Sequence, residues 1–267
     1  MTNKEVLNTT YKILSIQVRL DGLSFFTQNR LNKEVLDYEY VAFDKTLDPI
    51  EVLKQIELCV ERFPALRESY KEVKVLFVND HFTFVPEALF DDKHLTDYLK
   101  FNTKILKTDY LAYDGLPNHD LVNVYVPYAN IINYFFECYG SFTYLHHMTV
   151  WTEYLLDHST FSEDPQVYIN LRPHNFDLIV LKERKLMLAN MHQYRTAEDF
   201  IYYVLFSLEQ LGLSPESTPV ELSGTITTDD AIYDYTYQYI REVSIKESET
   251  GVIPATDHIL KQTVLCE

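Results

Sequence analysis

The sequence predicts an α/β protein built from two similar halves, each with a mixed sheet, and a small subdomain inserted into the first half. Three observations predict it. The order strand, strand, strand, helix, strand occurs twice, offset by roughly 155 residues. The helix of each copy opens in capping-box fashion, at Asp48 with Glu51 and at Thr196 with Asp199. A polar stretch, Ser159 to Pro165, separates them. The boundaries follow as 1–160 for the first half, with an insertion over about 80–120, and 161–267 for the second.

In the first copy, Tyr11 to Arg19 alternates in strand fashion, and Leu20-Asp21-Gly22-Leu23 reads as an Asp-Gly hairpin turn. Ser24 to Gln28 returns, and Val35 to Phe43 is a third strand. Asp48, Pro49 and Glu51 spell the start of a helix with a capping box, and Leu53, Ile56, Val60 and Phe63 recur at helical spacing. Val73 to Val78 is the fourth strand. His81 to Pro86 opens the insertion as a strand, followed by a short helix from Asp91 or Asp92 to Phe101 and a strand from Lys107 to Ala112. Asp120 to Val126 is again a strand. Pro127 introduces a helix striped by Tyr128, Ile131, Phe135 and Tyr139 and closed by Gly140. Phe142 to His146 reads as a strand and Thr149 to Asp157 as a helix.

The second copy runs Val167–Leu171, Asp177–Leu181 and Leu186–Met191 as strands. Thr196 and Asp199 open a helix that Gly212 ends, Pro219–Leu222 is a strand, and Thr228 is expected to cap a further helix. Residues 244–267 read as a helical turn followed by an edge strand.

Composition removes several function classes. The 267 residues carry a formal net charge of −17, which repels phosphate backbones and argues against nucleic-acid binding. No apolar run approaches the ~20 residues of a membrane span, and Met1 to Thr10 has no signal-peptide pattern, so a cytoplasmic protein without direct membrane insertion is expected. Cys59, Cys138 and Cys266 form no CxxC pattern and read as reduced thiols. Only six glycines occur, no two closer than Gly212 and Gly224, so the clustered-glycine loops that cradle phosphate are absent. No GxSxG or HExxH motif is present.

The duplicated βββαβ unit, each copy continuing into αβα, resembles the actin/Hsp70/sugar-kinase superfamily, whose halves are RNase H-like domains facing a nucleotide cleft. More narrowly it is similar to the actin-like proteins of type IV pilus assembly and to the cell-division protein FtsA. The shared features are the first hairpin, the strand Val73–Val78 before an insertion, the run Val122 to Pro127 entering a helix, and Val167-Tyr168-Ile169-Asn170-Leu171 opening the second half. The stretch Leu14 to Phe25, with Leu222-Ser223-Gly224 and Leu265-Cys266-Glu267, is similar to an uncharacterised Bacteroidota family with an actin-like ATPase fold.

The resemblance implies three nucleotide-binding loops, and this sequence departs from each. Where the first loop should open with a metal-orienting Asp and a close-approach Gly stand Gln17, Val18, Arg19 and Leu20, with Asp21-Gly22 only at the turn. The second loop, Asp-x-Gly in working members, reads Asn170-Leu171-Arg172 and is followed by Pro173, which has no N–H to donate. Of the paired glycines expected in the adenosine loop only Gly224 remains. Gln17, Arg19, Asp21, Gly22, Asn170, Arg172 and Gly224 are therefore read as a vestigial nucleotide cleft with no catalytic residue, no metal ligand and no cofactor. The expected function is a non-catalytic actin-like binding or scaffold module, with a protein partner on the insertion or cleft. The alternative is a divergent ATPase or kinase-like enzyme, in which Arg19 and Arg172 replace backbone amides as phosphate ligands and Asp21 or Asp177 holds magnesium for ATP. A sensor of a non-phosphate small molecule is a third reading.

Other features have plainer readings. His146-His147 cannot chelate one ion from a straight strand, because neighbouring side chains point to opposite faces. Asp229-Asp230 suits a helix start. Cys59 and Cys138 read as small apolar fillers. Tyr233 and Tyr237, four apart, lie on a different helix face from the core residues and suggest an interaction surface.

Overall fold

The computed structural model describes residues 11–264 except 102, 107–108 and 247–250. The chain divides into two units, Met1–Val150 with Ile259–Glu267, and Trp151–His258.

The first unit holds a five-stranded sheet of β1 (Lys12–Val18), β2 (Gly22–Asn29), β3 (Val35–Ala42), β4 (Glu72–Phe77) and β8 (Thr143–His146), in the order β3-β2-β1-β4-β8. The β1–β2 and β2–β3 pairs are antiparallel, while β1–β4 and β4–β8 are parallel. Period-two alternation sends Leu14, Ile16 and Val18 to one face, where α1 (Pro49–Arg62) and α3 (Ala129–Tyr139) cover them with Val52, Ile56, Ile131 and Phe135. The start of α1 is as expected: Asp48 accepts from the N–H groups of Ile50 and Glu51 at 2.8 Å each, and Glu51 reaches back to the Asp48 N–H at 3.2 Å. Burial raises the Cys59 thiol pKa on this helix's inner face. Cys138, by contrast, is exposed on α3, so it fills no core position, and Cys266 lies outside the described residues.

On the opposite face of that sheet β1 presents Ser15 and Gln17, and β4 presents Lys74; all three are buried. The segment around α7 (His258–Gln262) satisfies two of them within this unit. Thr263 donates its hydroxyl to Ser15 at 3.0 Å, and the Lys74 ammonium donates to the Thr263 carbonyl at 2.8 Å. A strand followed by a short helix therefore replaces the helix-then-strand order expected after residue 243: β13 is Val243–Ile245 and α7 comes last.

Between β4 and β8 lies a three-stranded antiparallel sheet, β5 (Phe82–Pro86), β7 (Leu121–Tyr125) and β6 (Ala112–Leu116), in that order. It packs on α2 (Leu95–Leu99) through Val85, Leu99, Val122 and Val124. Strand β6 starts where the expected Lys107–Ala112 strand ends and is paired to β7 from Ala112 to Leu116.

The second unit repeats the first. Strands β9 (Gln166–Leu171), β10 (Asn175–Lys182), β11 (Lys185–Gln193), β12 (Val220–Gly224) and β13 stand in the order β11-β10-β9-β12-β13, with the same parallel and antiparallel pairings as their counterparts. Helix α5 (Ala197–Gln210) covers one face through Phe200, Val204 and Leu208. Thr196 caps it as expected, and Gly212 at φ +66° lets the Leu213 N–H reach the Leu208 carbonyl. Helix α6 (Ala231–Tyr239) starts later than the sequence suggests. Asp230, not Thr228, is its N-cap residue, and the Asp230 carboxylate accepts from the Thr227 hydroxyl at 2.9 Å. Helix α4 (His147–His158) begins directly at the end of β8. No helix among the described residues is long and apolar enough to cross a membrane.

Candidate functional site

Each unit carries one of the two hairpins that the sequence singles out, and their backbones match residue for residue. In the first, Val18 pairs with Leu23 and the Arg19 N–H donates to the Gly22 carbonyl at 3.0 Å. In the second, Leu171 pairs with Phe176 and the Arg172 N–H donates to the Asn175 carbonyl at 2.9 Å. The turn residues are therefore Leu20-Asp21 and Pro173-His174. Gly22 is not the left-handed corner of an Asp-Gly turn: it is the first residue of β2 and has no positive φ. What it supplies is closeness, since a Cβ there would lie 2.9 Å from the Tyr40 ring and 3.0 Å from the Val41 carbonyl.

Around the first hairpin, the Gln17 amide donates to Ser24 Oγ across the strands at 3.3 Å. Arg19 is buried, with its Nε 3.4 Å from Asp21 and its guanidinium 4.9 Å above the Tyr40 ring. The turn carbonyls of Leu20 and Asp21 accept from the Leu47 and Phe43 N–H groups, so the loop after β3 binds the hairpin tip.

Around the second hairpin, Asn170, Arg172 and Gly224 come together with Asp177. Arg172 donates from Nη1 and Nη2 to the two carboxylate oxygens of Asp177, and from Nε to the Asn175 side chain, all at 2.6 Å. Asn170, at the position equivalent to Gln17, donates to Asp177 across the strands at 3.1 Å. The bidentate fork is the strong form of this pair, and both side chains are buried. Gly224, at φ +87°, lies against the end of β9: a Cβ would stand 2.2 Å from the Leu171 carbonyl and 2.7 Å from Asn170 Oδ1. That buried Asn170 oxygen has no hydrogen-bond partner. Tyr194 closes the group by donating to the Arg172 carbonyl at 2.6 Å; burial raises its phenol pKa, and the Arg172 charge opposes that rise.

A third cluster was not foreseen from the sequence. Asp114, buried on β6, accepts from the Tyr125 hydroxyl at 2.9 Å, the His146 N–H at 2.8 Å and the Thr149 hydroxyl at 2.7 Å. Asn123 donates to Thr149 at 2.9 Å and stands 3.3 Å from His146 Nδ1, while His146 Nε2 is 3.2 Å from the Asn79 carbonyl. Burial, and then the Asp114 charge, push the Tyr125 phenol far up. The sequence signal was the alternation Ala112, Asp114, Leu116, which puts the carboxylate on the inner face. This network ties the inserted sheet to the end of β8. His146 and His147 are not held apart on a strand as expected: β8 ends between them, and their rings lie 4.6 Å apart, both buried. Among the described residues no group of three or more His, Cys, Asp or Glu side chains is arranged to hold a metal ion.

Two β3-β2-β1-β4-β8-type sheets with parallel and antiparallel pairs in the same places are the arrangement that the resemblance to actin-like proteins implied, and residues 1–243 match the family model described as protein of unknown function DUF3822. The chain belongs to this family. Its fold is similar to that of a Bacteroides thetaiotaomicron protein described as having an actin-like ATPase fold and unknown function, with a TM-score of 0.87 at 22% identity over 100% of both chains. It is also similar to a chain of a PilM–PilN type IV pilus biogenesis complex, with a TM-score of 0.56 at 10% identity over 95% of this chain and 97% of that one. No curated protein matches the sequence. The DUF3822 chain thus has a mixed α/β, actin-like ATPase fold in two sheet-containing units.

Proposed function

We propose that this DUF3822 protein is a non-catalytic actin-like module that binds a protein partner and neither requires nor hydrolyses ATP. The observation that carries the reading is the Arg172–Asp177 fork. At the place where the resemblance implies an Asp-x-Gly phosphate loop, the guanidinium is engaged by Asp177 through both Nη atoms and by Asn175 through Nε. A phosphate would have to displace a buried carboxylate to reach it, and separating such a pair leaves an uncompensated buried charge. The first hairpin supports the same reading: Gly22 is spent on packing against Tyr40, and Arg19 rests on that ring. The PilM neighbour is by its description part of a complex with PilN, and a protein partner is what we propose for this chain.

The test is thermal unfolding with and without millimolar ATP and magnesium. A nucleotide present at 100-fold its dissociation constant would add about 2.7 kcal/mol to the folded state. The expected result is an unchanged melting temperature with ATP, ADP or GTP. A magnesium-dependent rise would overturn the proposal in favour of the nucleotide-binding alternative, in which Arg172 must release Asp177.

A further inference from the structure

The second unit carries two stacked aromatic pairs on its helical surface. On α5, Tyr202 and Phe206 are four residues apart, 60% and 44% exposed, with rings stacked at 6.1 Å. On α6, Tyr233 and Tyr237 stack at 6.2 Å, and Tyr237 is 66% exposed. Tyr233 itself packs against the core, but Tyr202, Phe206 and Tyr237 do not, and the inner faces of both helices have their core partners without them. The two helices pack on each other, and the Tyr235 hydroxyl of α6 donates to Glu198 of α5 at 2.6 Å, which ties them at one end.

Charge gives this surface its direction. From Thr196 to Ile240 the sequence has eight carboxylates and no lysine, arginine or histidine; Arg195 and Arg241 stand just outside. On α5 the exposed stripe reads Glu198 and Asp199, then Tyr202, then Phe206, then Glu209, an aromatic step with acid at both ends. A long apolar-and-basic side chain is the natural complement. Its stem covers the ring faces, its cation gains from the ring quadrupole, and the next cation reaches a flanking carboxylate. A second copy of this chain is a poor occupant, because a protein of net charge −17 would bring like charge to the contact.

We infer that the α5–α6 face is a docking surface for a lysine- and arginine-rich amphipathic segment of a partner protein, read by Tyr202 and Phe206 as the apolar anchor site and by Glu198 and Glu209 as the flanking charges. The inference rests on the binding-module reading and adds to it the surface and the chemistry of the partner.

The experiment uses the full chain and a synthetic helix-forming peptide of about 14 residues, with Leu or Trp at every third or fourth position and Lys or Arg elsewhere. A control peptide keeps the charge and replaces Leu and Trp by Ser. Fluorescence anisotropy is expected to show the anchored peptide binding about tenfold more tightly than the control. Tyr202→Ser with Phe206→Ser is expected to remove that preference, Glu198→Gln with Glu209→Gln to weaken both peptides several-fold, and Asp91→Asn with Asp92→Asn, acids of the first unit, to change neither. Hydrogen exchange on the unmutated protein should show α5 amides protected by the anchored peptide. Equal binding of the two peptides, equal losses in the flanking and remote acid variants, or no protection of α5 would overturn the inference. So would a dimer in sedimentation that the Tyr202→Ser, Phe206→Ser change dissociates, which would make the occupant a second copy. Failure of the binding-module reading shows separately, as a nucleotide-dependent rise in melting temperature.

Discussion

The hairpin between β1 and β2 and the hairpin between β9 and β10 share one backbone and differ in how each holds its arginine. An amide side chain stands two residues before the arginine in both, as Gln17 and as Asn170. Across the strands from it stands Ser24 in the first hairpin and Asp177 in the second. With serine opposite, Arg19 turns to a turn carboxylate, Asp21, and to the face of Tyr40. With aspartate opposite, Arg172 closes a buried fork of two 2.6 Å bonds. The same position in the ladder thus carries a serine in the first hairpin and the arginine's buried counter-charge in the second.

The largest expected break in this comparison is Asp177→Ala. It leaves the Arg172 cation buried without its counter-charge and should cost about 3–5 kcal/mol in urea unfolding, whereas Asp21→Ala, losing a partly exposed and longer contact, should cost under ~1 kcal/mol. Equal costs would show that the two arginines are held alike.

A titration sharpens the same contrast. His258 in the second unit is half-buried against the edge of Trp151, with Nδ1 2.9 Å from the Ala255 carbonyl and a buried Nε2 without a hydrogen-bond partner. Desolvation pulls its pKa down to about 4; Lys246 acts in the same direction, while the Ala255 bond, Asp177 and Asp257 oppose it. Above the unfolded value of about 6.5 the ring is neutral in both states. As the pH falls from there to about 4 the unfolded chain gains a proton that the folded chain refuses, so stability drops across that window and levels below it. The drop should reach at most ~3 kcal/mol and be absent from the difference curve of His258→Leu, measured by urea unfolding from pH 8 to 4.

The smallest effects concern the two glycines. Gly224→Ala meets a backbone carbonyl at a positive φ and should cost ~2–3 kcal/mol. Gly22→Ala mainly asks the Tyr40 ring to swing aside and should cost ~1 kcal/mol. Thermal melts of the two variants read the difference, and a reversed order would mean that the Tyr40 stack is the stiffer support.

Much of the fold was legible because it is written locally. The Asp48 capping box, the closing glycines at 140 and 212, and the alternation in β1 and β9 are signals of adjacent residues, and they sit where expected. The order of elements then carried the duplication although the copies share almost no side chains. What was not legible depends on partners distant in sequence. Asp114-Gly115 was passed over because its strand is defined by β7, and Cys138 was misplaced because nothing in α3 says which neighbours cover that helix. At the candidate site, the sequence marked Arg19 and Arg172 as unusual but could not tell that one rests on Tyr40 and the other on Asp177. Those contacts are matters of register, and a shift of one residue would have reversed them.

The bond between Thr263 and Ser15 joins residues 248 positions apart, and the Lys74 ammonium, which also pairs with Glu72, donates to the Thr263 carbonyl. On the ribosome, the first sheet would emerge early with its polar face still waiting for residues made some 190 positions after Lys74. The second unit, Trp151–His258, is one unbroken stretch and has all of its strands before that segment appears. Synthesis order and completion order are therefore opposed: the unit whose chain is made first is the one whose sheet face has its full set of contacts only when the last segment has been made.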